Sequence, residues 1–561
     1  MSQELASHPT VIEKFYEWER TTPHKVFLRQ PKGSAWNDYS YAEIGQMARK
    51  MVTALKETGL KPGDHIGIYS KNCYHWIVAD LAIIMGGYVS VPLYASLPGT
   101  ALAEVIDLGD LNAIFVGKLD AWDKAHEAAI SEDLITIKFP DYDGNAPVTK
   151  GLEWDDLISK SVPMPDNFIP QLDDLWTIKF TSGTTGSPKG VMHSHRTAAA
   201  YMLKDQDTDW VGVFNIGELR YLSYLPLNHV GERMGVEMPA IWGNGTISFA
   251  ENLATFAKNM QDTQPTVFFG VPRIWTNFYL GVINKMPEKK LDRLLSIPIV
   301  SSMVKKKLRT ALGLRDVEVA ATGAAITPAF IKKFYKKLGI HLIEAYGMTE
   351  VCGSMTNTPM LDAPLDSVGK AIPGGAVKID PDSGEILMKS PFMMLGYYKN
   401  PEKTAEVIQD GWLRSGDRGT IDARGFVRVI GRVKDAFKTS KGSYITPNPL
   451  EEILAENDYV EQVCVVGLGI PQPIALFNLS AAGLKGERSD VEISITETMG
   501  ALNATRAKFE RISTAIIQSE AWSPENDCLT PTMKVKRFTL DDRFSPQYLN
   551  WHEAPFNVIW A

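Results

Sequence analysis

A short glycine- and hydroxyl-rich string constrains this chain more than any other feature of its sequence. Residues 181–190 read TSGTTGSPKG and directly follow the apolar run 175–180, which is typical of a buried β-strand. The glycines let backbone N–H groups approach an anion, the hydroxyls can bond phosphate oxygens or a metal, and Lys189 adds positive charge. The spacing is neither that of a Walker A loop nor GxGxxG. Residue chemistry alone therefore predicts a phosphate-binding turn, with a flexible polar turn as the alternative.

Strand and helix patterns alternate over the first 170 residues. The predicted elements include helices at 41–58 and 75–85 and strands at 65–69 and 89–93. This order predicts a parallel sheet in an α/β fold. After about residue 375 the strands are short and separated by turn residues, so this part is predicted to be rich in β-structure, with a later helix at 490–509.

Composition excludes several classes of protein. The chain has 561 residues, of which 44% are hydrophobic and 22% charged, so disorder, collagen and coiled coil fit poorly. The net charge of -8 argues against a nucleic-acid partner. The four cysteines show no CxxC spacing, which favours a reduced, cytoplasmic setting over a zinc cluster or a disulfide scaffold. We find no signal peptide, and the apolar run 81–91 is too short to span a membrane.

Five ordered motifs resemble those of the adenylate-forming (AMP-binding) superfamily, which includes acyl-CoA synthetases, firefly luciferases and nonribosomal adenylation domains. After the 181–190 string they are YGMTE at 346–350, SGD at 415–417, GRVKD at 431–435 and TPTMKVKR at 530–537. Two further strings are similar to those of long-chain and bubblegum-type fatty acyl-CoA synthetases, namely YLPLNHVGER at 224–233 and VPRIW at 271–275. Asn228 and Thr276 depart from the usual residues of these two strings, which leaves the acyl-chain specificity open.

The resemblance implies a fold and a reaction. The fold has a large N-terminal domain (1–433), built from α/β subdomains and a β-barrel-like part, and a small mobile α+β C-terminal domain (434–561). The reaction activates a carboxylic acid, in this subgroup a medium- to long-chain fatty acid, with ATP and Mg²⁺ to give acyl-AMP and pyrophosphate. Coenzyme A then takes the acyl group and AMP leaves.

The resemblance also assigns nucleotide-binding and metal-binding roles. Tyr346 is expected to stack on adenine, and Asp417 to accept bonds from both ribose hydroxyls. The metal ligands are Thr184 and Glu350. The full set for ATP or AMP is Thr181, Ser182, Gly183, Thr184, Thr185, Gly186, Lys189, Gly323, Ala324, Ala325, Tyr346, Gly347, Thr349, Asp417 and Arg432.

Further assignments from the resemblance concern catalysis, acyl binding and domain motion. The catalytic set is Lys534, His229 and Glu350, and Lys534 serves only the first half-reaction, at the α-phosphate and the substrate carboxylate. Lys536 and Arg537 are interpreted as solvated. Lys434 is the hinge, and Lys438 and Gly442 belong to the coenzyme A tunnel. The acyl pocket is assigned to His229, Val271, Pro272 and Trp275, with ordinary core packing as an equal alternative for Trp275.

Several alternatives stay open on sequence grounds. The chain could be an acyl-AMP ligase that passes the acyl group to a carrier protein, a CoA ligase for a non-fatty acid, or a nucleotide-binding protein that has lost catalysis. Basic clusters in 286–314 and 332–337 fit either peripheral membrane association or a solvated helical face. The apolar tail 555–561 fits docking on its own domain or on a second subunit, and the sequence does not reveal the oligomeric state.

Overall fold

An eight-stranded sheet organises the first 200 residues in the computed structural model, which describes residues 8–33, 35–181, 188–524, 526–530, 533–555 and 557–561. Across the sheet the order is β19 (Gly396–Tyr397), β9 (Lys189–Ser194), β8 (Leu175–Thr181), β4 (Val89–Leu93), β3 (His65–Ser70), β5 (Leu111–Gly117), β6 (Ile135–Lys138) and β7 (Leu152–Glu153). In this order the strands are parallel from β8 to β7, and β9 and β19 extend the sheet in antiparallel fashion.

Seven helices accompany this sheet, and the parallel α/β arrangement predicted from the sequence is confirmed. They are α1 (Val11–Thr21), α2 (Tyr41–Glu57), α3 (Tyr74–Met85), α4 (Gly99–Leu108), α5 (Lys124–Ala129), α6 (Trp154–Lys160) and α7 (His195–Thr208). Thr10 and Ser40 are the N-cap residues of α1 and α2, and each is part of a capping box. The N-cap side chain accepts the backbone N–H of the glutamate three residues later, and the side chain of that glutamate accepts the N-cap backbone N–H.

Two further sheets complete the α/β part. A mixed sheet has the order β10 (Arg220–Ser223), β11 (Thr246–Phe249), β1 (Val26–Lys32) and β2 (Ala35–Ser40). Another has the order β12 (Val267–Gly270), β13 (Val319–Gly323), β14 (Leu342–Met348), β15 (Gly353–Asn357) and β16 (Lys370–Ala371). The helices of this part are α8 (Val230–Glu232), a π-helical turn (Arg233–Glu237), α9 (Met238–Trp242), α10 (Phe256–Thr263), α11 (Pro272–Ile283), α12 (Glu288–Leu295), α13 (Pro298–Ala311) and α14 (Ala329–Lys337), with 3-10 turns at Val213–Asn215 and Thr349–Val351.

The β-rich part predicted after residue 375 is an open antiparallel sheet rather than a closed barrel in the described residues. The elements are β17 (Ala376–Ile379), β18 (Glu385–Lys389), α15 (Pro401–Val407), β20 (Ile408–Gln409), β21 (Trp412–Ile421) and β22 (Val427–Arg432). Because the long strand β21 pairs with β18 on one side and with both β20 and β22 on the other, the outer strands do not meet.

The C-terminal part is α+β and has its own hydrophobic core. The apolar tail forms β28, which pairs in parallel with β27 and so docks on this part of the chain. The strands are β23 (Phe437–Lys438), β24 (Tyr444–Ile445), β25 (Val460–Val466), β26 (Ile474–Leu479), β27 (Ala515–Ile517) and β28 (Val558–Trp560). The helices are α16 (Asn448–Leu454), α17 (Ala481–Lys485), α18 (Arg488–Ala504), α19 (Arg537–Phe544) and α20 (Tyr548–Glu553), with a 3-10 turn at Ser545–Gln547.

The helix predicted at 490–509 is shorter at its C-terminal end. α18 ends at Ala504 because the chain folds back there, and the Asn503 side chain bonds both the N–H and the carbonyl of Ile512 at 2.8 Å. Within the described residues, no helix combines the length and the apolar character needed to cross a membrane.

A buried group of charged side chains lies inside the α/β part. Arg233, with none of its side chain exposed, donates to Glu237 Oε2 at 2.8 Å and also bonds Asp80. Next to it, Glu232 is fully buried and accepts the N–H of Tyr224 at 3.0 Å. Burial raises the pKa of Glu232 to about 8. This carboxyl group therefore favours its neutral, protonated form in the folded protein.

Candidate active site

The ends of the predicted phosphate loop lie on an antiparallel pair of strands. β8 ends at Thr181, β9 begins at Lys189, and these residues face each other in the register. The Thr181 hydroxyl donates to the Lys189 carbonyl at 3.5 Å. The remaining predicted loop residues lie outside the described residues, and these are Ser182, Gly183, Thr184, Thr185 and Gly186.

Glu350 and Lys189 meet around the ring of Tyr397. Glu350 is 8% exposed and lies in the 3-10 turn after β14, where its Oε1 accepts the Tyr397 hydroxyl at 2.7 Å. Lys189 Nζ lies 5.7 Å from the Tyr397 ring centroid. Partial burial and the nearby Lys403 lower the pKa of Lys189, and Glu350 opposes this shift. An ammonium group and a carboxylate are thus held together at the Lys189 end of the loop.

A second carboxylate lies at the junction of three predicted motifs. The Tyr346 hydroxyl donates to Asp417 Oδ2 at 2.7 Å, and Arg432 Nε lies 3.0 Å from Asp417 Oδ1. Asp417 and Arg432 face each other across β21 and β22. Burial raises the pKa of Asp417, whereas Arg432, Tyr346 and Lys534 act to lower it. Each carboxylate oxygen retains a further lone pair, so the group can still accept bonds from a diol.

Lys534 lies close enough to Asp417 and Arg432 to interact with them electrostatically, although it belongs to the C-terminal part of the chain. Its backbone N–H donates to Thr530 Oγ1 at 3.1 Å. The residue is exposed; partial desolvation by the surrounding protein lowers the pKa of Lys534, Arg432 lowers it further, and Asp417 raises it. The structure therefore brings together Tyr346, Asp417, Arg432 and Lys534, which come from four separate motifs.

His229 is also electrostatically coupled to Lys534. It caps the N-terminus of α8, where its Nδ1 accepts the N–H of Gly231 at 3.0 Å. This bond requires an unprotonated Nδ1, so neutral His229 carries its proton on Nε2. Burial lowers the pKa of His229 to about 4, and Lys534 and Lys179 contribute to the shift. A neutral imidazole with a fixed N–H donor results.

The ATGAA segment shows why small residues are required at the end of β13. A Cβ added to Gly323 would lie 2.6 Å from the carbonyl oxygen of Ala345 on β14, so only glycine allows these strands to approach. The next residue, Ala324, has φ +68°, which is an unusual conformation for a residue with a side chain. Ala324 and Ala325 are both exposed and available to a ligand.

Two more backbone features shape the YGMTE motif. A Cβ on Gly347 would lie 2.0 Å from the carbonyl oxygen of Gly353 on the neighbouring strand. The Thr349 carbonyl accepts a 2.7 Å bond from Nε2 of His193, a buried residue of β9. His193 and Tyr397 both support this motif, and sequence reasoning missed them because they lie outside the recognised strings.

The residues predicted for the acyl pocket have different environments. Val271 and Pro272, at the start of α11, are half-buried. Trp275 is fully buried, and its Nε1 donates to the carbonyls of Gly270 at 2.9 Å and Ala321 at 3.3 Å. Since the indole ties β12 to β13 and packs on Tyr335, Trp275 belongs to the core behind this region.

The predicted hinge and tunnel residues follow β22. Lys434 is exposed in the turn directly after this strand. Lys438 ends β23, and Gly442 has φ +83° in the tight turn towards β24, as glycine permits. Near this turn the backbone N–H of Gly469 donates to the Lys438 carbonyl at 3.2 Å.

An ion pair joins the acyl-pocket motif to the C-terminal part. Arg273, on α11, pairs with Glu461 on β25. Arg273 is 57% exposed and Glu461 34% exposed, so water screens the pair. The contact therefore links two parts of the chain without a large contribution to stability.

The chain matches two family descriptions over most of its length. Residues 15–398 match the AMP-binding enzyme family, and residues 434–546 match the AMP-binding enzyme C-terminal domain.

Its curated relatives are similar over nearly the whole chain. Long-chain-fatty-acid–CoA ligase FadD15 of Mycobacterium bovis is 25% identical, with 96% of both chains covered. Long-chain-fatty-acid–CoA ligase 5 of Rattus norvegicus is 29% identical, with 92% of this chain and 84% of that protein covered.

Solved structures share the fold. The adenylation domain of a carboxylate reductase from Mycobacterium chelonae superposes with a TM-score of 0.80 at 19% identity, covering 98% of this chain and 92% of that one. The anthranilate CoA ligase AuaEII, in complex with anthranoyl-AMP, gives a TM-score of 0.75 at 20% identity, covering 98% and 100%.

Proposed function

Because the chain belongs to the family of AMP-binding enzymes, we propose that it activates a medium- to long-chain fatty acid and transfers it to coenzyme A. A carboxylate oxygen attacks the α-phosphorus of ATP, and pyrophosphate leaves. The thiolate sulfur of coenzyme A then attacks the acyl carbonyl carbon, and AMP leaves. The observation that carries the proposal is the proximity of Asp417, Arg432 and Lys534, which interact electrostatically with one another.

The first half-reaction joins an anion to a polyanion, so the site must supply positive charge in fixed positions. We assign the α-phosphate and the substrate carboxylate to the Lys534 ammonium, and the β- and γ-phosphates to Lys189 and the loop that precedes it. The attacking carboxylate has no proton to lose, so a general base is not required. Neutral His229 serves as an Nε2–H donor towards the carboxylate instead.

Asp417 and Tyr346 take the nucleoside. The buried Asp417 carboxylate would accept bonds from the ribose hydroxyls while Arg432 balances its charge. Tyr346 stacks on the adenine, and Gly323, Ala324, Ala325, Gly347 and Thr349 supply closely approaching backbone around the nucleotide. The exposed Ala324 and Ala325 leave their backbone accessible to a ligand, which suits this role.

Mg²⁺ fits the residues present. This ion usually binds one or two carboxylates together with substrate phosphates, and Glu350 provides a carboxylate beside Lys189 at the end of the phosphate loop. We assign Glu350 and Thr184 as its protein ligands. When bound, the ion neutralises phosphate charge. Tyr397 keeps the Glu350 side chain in place through its hydroxyl.

The second half-reaction requires the C-terminal domain to rotate, with residues 1–433 and 434–561 as the two bodies and Lys434 as the hinge. Rotation would withdraw Lys534 and bring the Lys438–Gly442 turn towards the pantetheine arm. The exposed turn that contains Lys434 supports this role, because its torsion angles can change without disturbing a packed core.

A product analysis tests the function. The enzyme is incubated with ATP, Mg²⁺, coenzyme A and acids from short to long chain, including an aromatic acid. Acyl-CoA formed preferentially from long chains supports the proposal. Acyl-AMP that accumulates without thioester favours a ligase with another acceptor, and preference for the aromatic acid favours a non-fatty CoA ligase. ATP–pyrophosphate exchange by Lys534→Ala, compared with Lys536→Ala in the surface pair with Asp527, reports on the assigned lysine.

A surface patch suggests that the enzyme collects its acid at a membrane. Ile299 and Met303 on α13 are 79% and 68% exposed, and Ile297 before this helix is 48% exposed. They are surrounded in sequence by basic residues, which are Lys289, Lys290, Arg293, Lys305, Lys306 and Lys307. Exposed aliphatic groups among lysines suit an anionic bilayer, where each lysine contributes about 1 kcal/mol. The four cysteines, all buried and free, fit the cytoplasmic side.

Vesicle pelleting tests this surface. We expect binding to vesicles that contain phosphatidylglycerol, weaker binding in high salt, and loss of binding for Ile299→Asp with Met303→Asp. The matched control is Leu484→Asp, at a 74% exposed position of α17. Equal binding by the patch variant and the control would contradict the membrane proposal and leave the enzymatic one untouched.

A further inference from the structure

Arg537 lies three residues after Lys534, and it is not solvated as the sequence suggested. Only 13% of its side chain is exposed. Nη2 donates to Glu451 Oε1 at 2.7 Å, and Nη1 donates to the carbonyl of Val465 and contacts Cys464 Sγ at 3.1 Å. The guanidinium is therefore fixed inside the C-terminal part, because α16 and β25 both hold it.

The same guanidinium reaches the residue that follows the proposed hinge. Arg537 Nε lies 3.9 Å from Asp435 Oδ2, and Asp435 directly follows Lys434. Glu451 Oε1 also accepts the N–H of Val465 at 2.6 Å. Arg537 thus connects three elements: the start of the C-terminal part, α16 and the edge strand β25.

The chain between Lys534 and Arg537 is short and restrained. The N–H of Lys536 donates to the Cys528 carbonyl at 2.9 Å, and α19 begins at Arg537. Since only two residues separate Lys534 from Arg537, a displacement of the arginine moves the lysine. A displacement of the arginine moves residues 435–451 less, because the hydrophobic core of the C-terminal part also holds these residues in place.

We infer that Arg537 is a positioning residue, which sets the location of Lys534 by anchoring its segment to Glu451 and Asp435. This inference rests on the proposed function. It assigns Arg537 to the adenylation half-reaction, because Lys534 is withdrawn in the thioester half-reaction. A residue with a purely structural role would affect both half-reactions alike.

The test separates the two half-reactions in Arg537→Gln, Arg537→Lys and the control Arg543→Gln. Arg543 belongs to the same helix but is 37% exposed and pairs with Glu520 at the surface. We expect Arg537→Gln to lower kcat for ATP–pyrophosphate exchange by about 10- to 100-fold, as misplacement of a catalytic group by about 1 Å does. KM for ATP and the rate of thioester formation from synthetic acyl-AMP and coenzyme A should stay within about twofold.

Arg537→Lys should recover part of the lost exchange, because it keeps the charge but not the forked geometry. Equal loss of both half-reactions, or no loss of exchange, would overturn the inference. If Arg537→Gln does not fold, Asp435→Asn decides by the same comparison, since it removes one anchor and leaves the Glu451 bond intact. Absence of exchange in the wild-type enzyme with every acid would refute the proposed function instead.

Discussion

The hydroxyl of Tyr346 donates a 2.7 Å hydrogen bond to Oδ2 of Asp417. The tyrosine lies near the end of a strand of one sheet, and the aspartate lies on a strand of another, 71 residues later. A side chain proposed to stack on adenine therefore also orients the carboxylate proposed to hold the ribose. Loss of this bond should act on nucleotide binding before it acts on chemistry.

Tyr346→Phe keeps the aromatic ring and removes the hydroxyl. We expect KM for ATP to rise about 3- to 10-fold, in line with the loss of one hydrogen bond to a charged group, with kcat changed by less than about twofold. Initial rates at varied ATP concentration measure both. Tyr398→Phe is the control, since that hydroxyl bonds Asp110 at the surface at 2.6 Å. A fall in kcat at unchanged KM would speak against a role in binding.

Lys534 gives the adenylation step a characteristic pH dependence. Only the charged ammonium neutralises phosphate, so activity is present below the pKa of Lys534 and is lost as pH rises through it. Because partial desolvation and Arg432 lower this pKa from 10.5, the alkaline decline should begin below the range of an ordinary lysine. Lys534→Arg, which stays charged, should shift the decline to higher pH despite a lower rate. Exchange rates across pH measure this, and an unshifted decline in Lys534→Arg would exclude Lys534 as its source.

Lys434→Pro restricts the proposed hinge. We expect adenylation to be retained within about threefold and thioester formation from acyl-AMP to fall at least about tenfold, because proline fixes φ at one value. Single-turnover measurements of each half-reaction test this. Lys434→Ala, which removes the same side chain but leaves φ free to change, serves as the comparison. Parallel losses in both half-reactions for Lys434→Pro would argue against rotation at this residue.

The buried Glu232 should affect the free energy of unfolding rather than the enzymatic activity. Its pKa is raised from 4.5 to about 8, so the folded state binds a proton that the unfolded state releases, and stability falls as pH rises through this window. Glu232→Gln removes this dependence. The difference in unfolding free energy between variant and wild type should grow by up to about 1.4 kcal/mol for each pH unit in this window. Denaturant unfolding at several pH values between about pH 5 and pH 9, a range that covers most of this window and its upper end, measures it.

Sequence patterns predicted most clearly the helices and strands that lie within the apolar core. Helix α3 and strand β4 are mainly apolar and almost entirely buried, so hydrophobic runs mark them clearly. The motif residues Tyr346, Asp417, Arg432 and Lys534 converge as the resemblance implied they would, although their roles remain predictions. Local signals were sufficient here because each residue belongs to a recognisable string.

Long-range contacts were not accessible in the same way. Tyr397 supports Glu350 from 47 residues away, and nothing in its neighbourhood marks a functional tyrosine. Arg537 is largely buried, and Glu451, which neutralises its charge, lies 86 residues earlier in the chain. Trp275 was expected in the acyl pocket, and only the strands on either side show that its indole joins them. In each case the environment of the side chain depends on a contact residue elsewhere in the sequence, and a single sequence does not identify that residue.

The Arg273–Glu461 pair gives the enzyme a sensitivity to its ionic surroundings. The pair is exposed and joins the acyl-pocket helix to the part of the chain that carries Lys534, so dissolved salt weakens it over a Debye length of about 8 Å at physiological ionic strength. Under the proposed rotation, this contact would have to open between the two half-reactions. The concentration of potassium or sodium salt would then change the rate of domain alternation. Dilute buffer would slow release from the adenylating arrangement, and concentrated buffer would speed it.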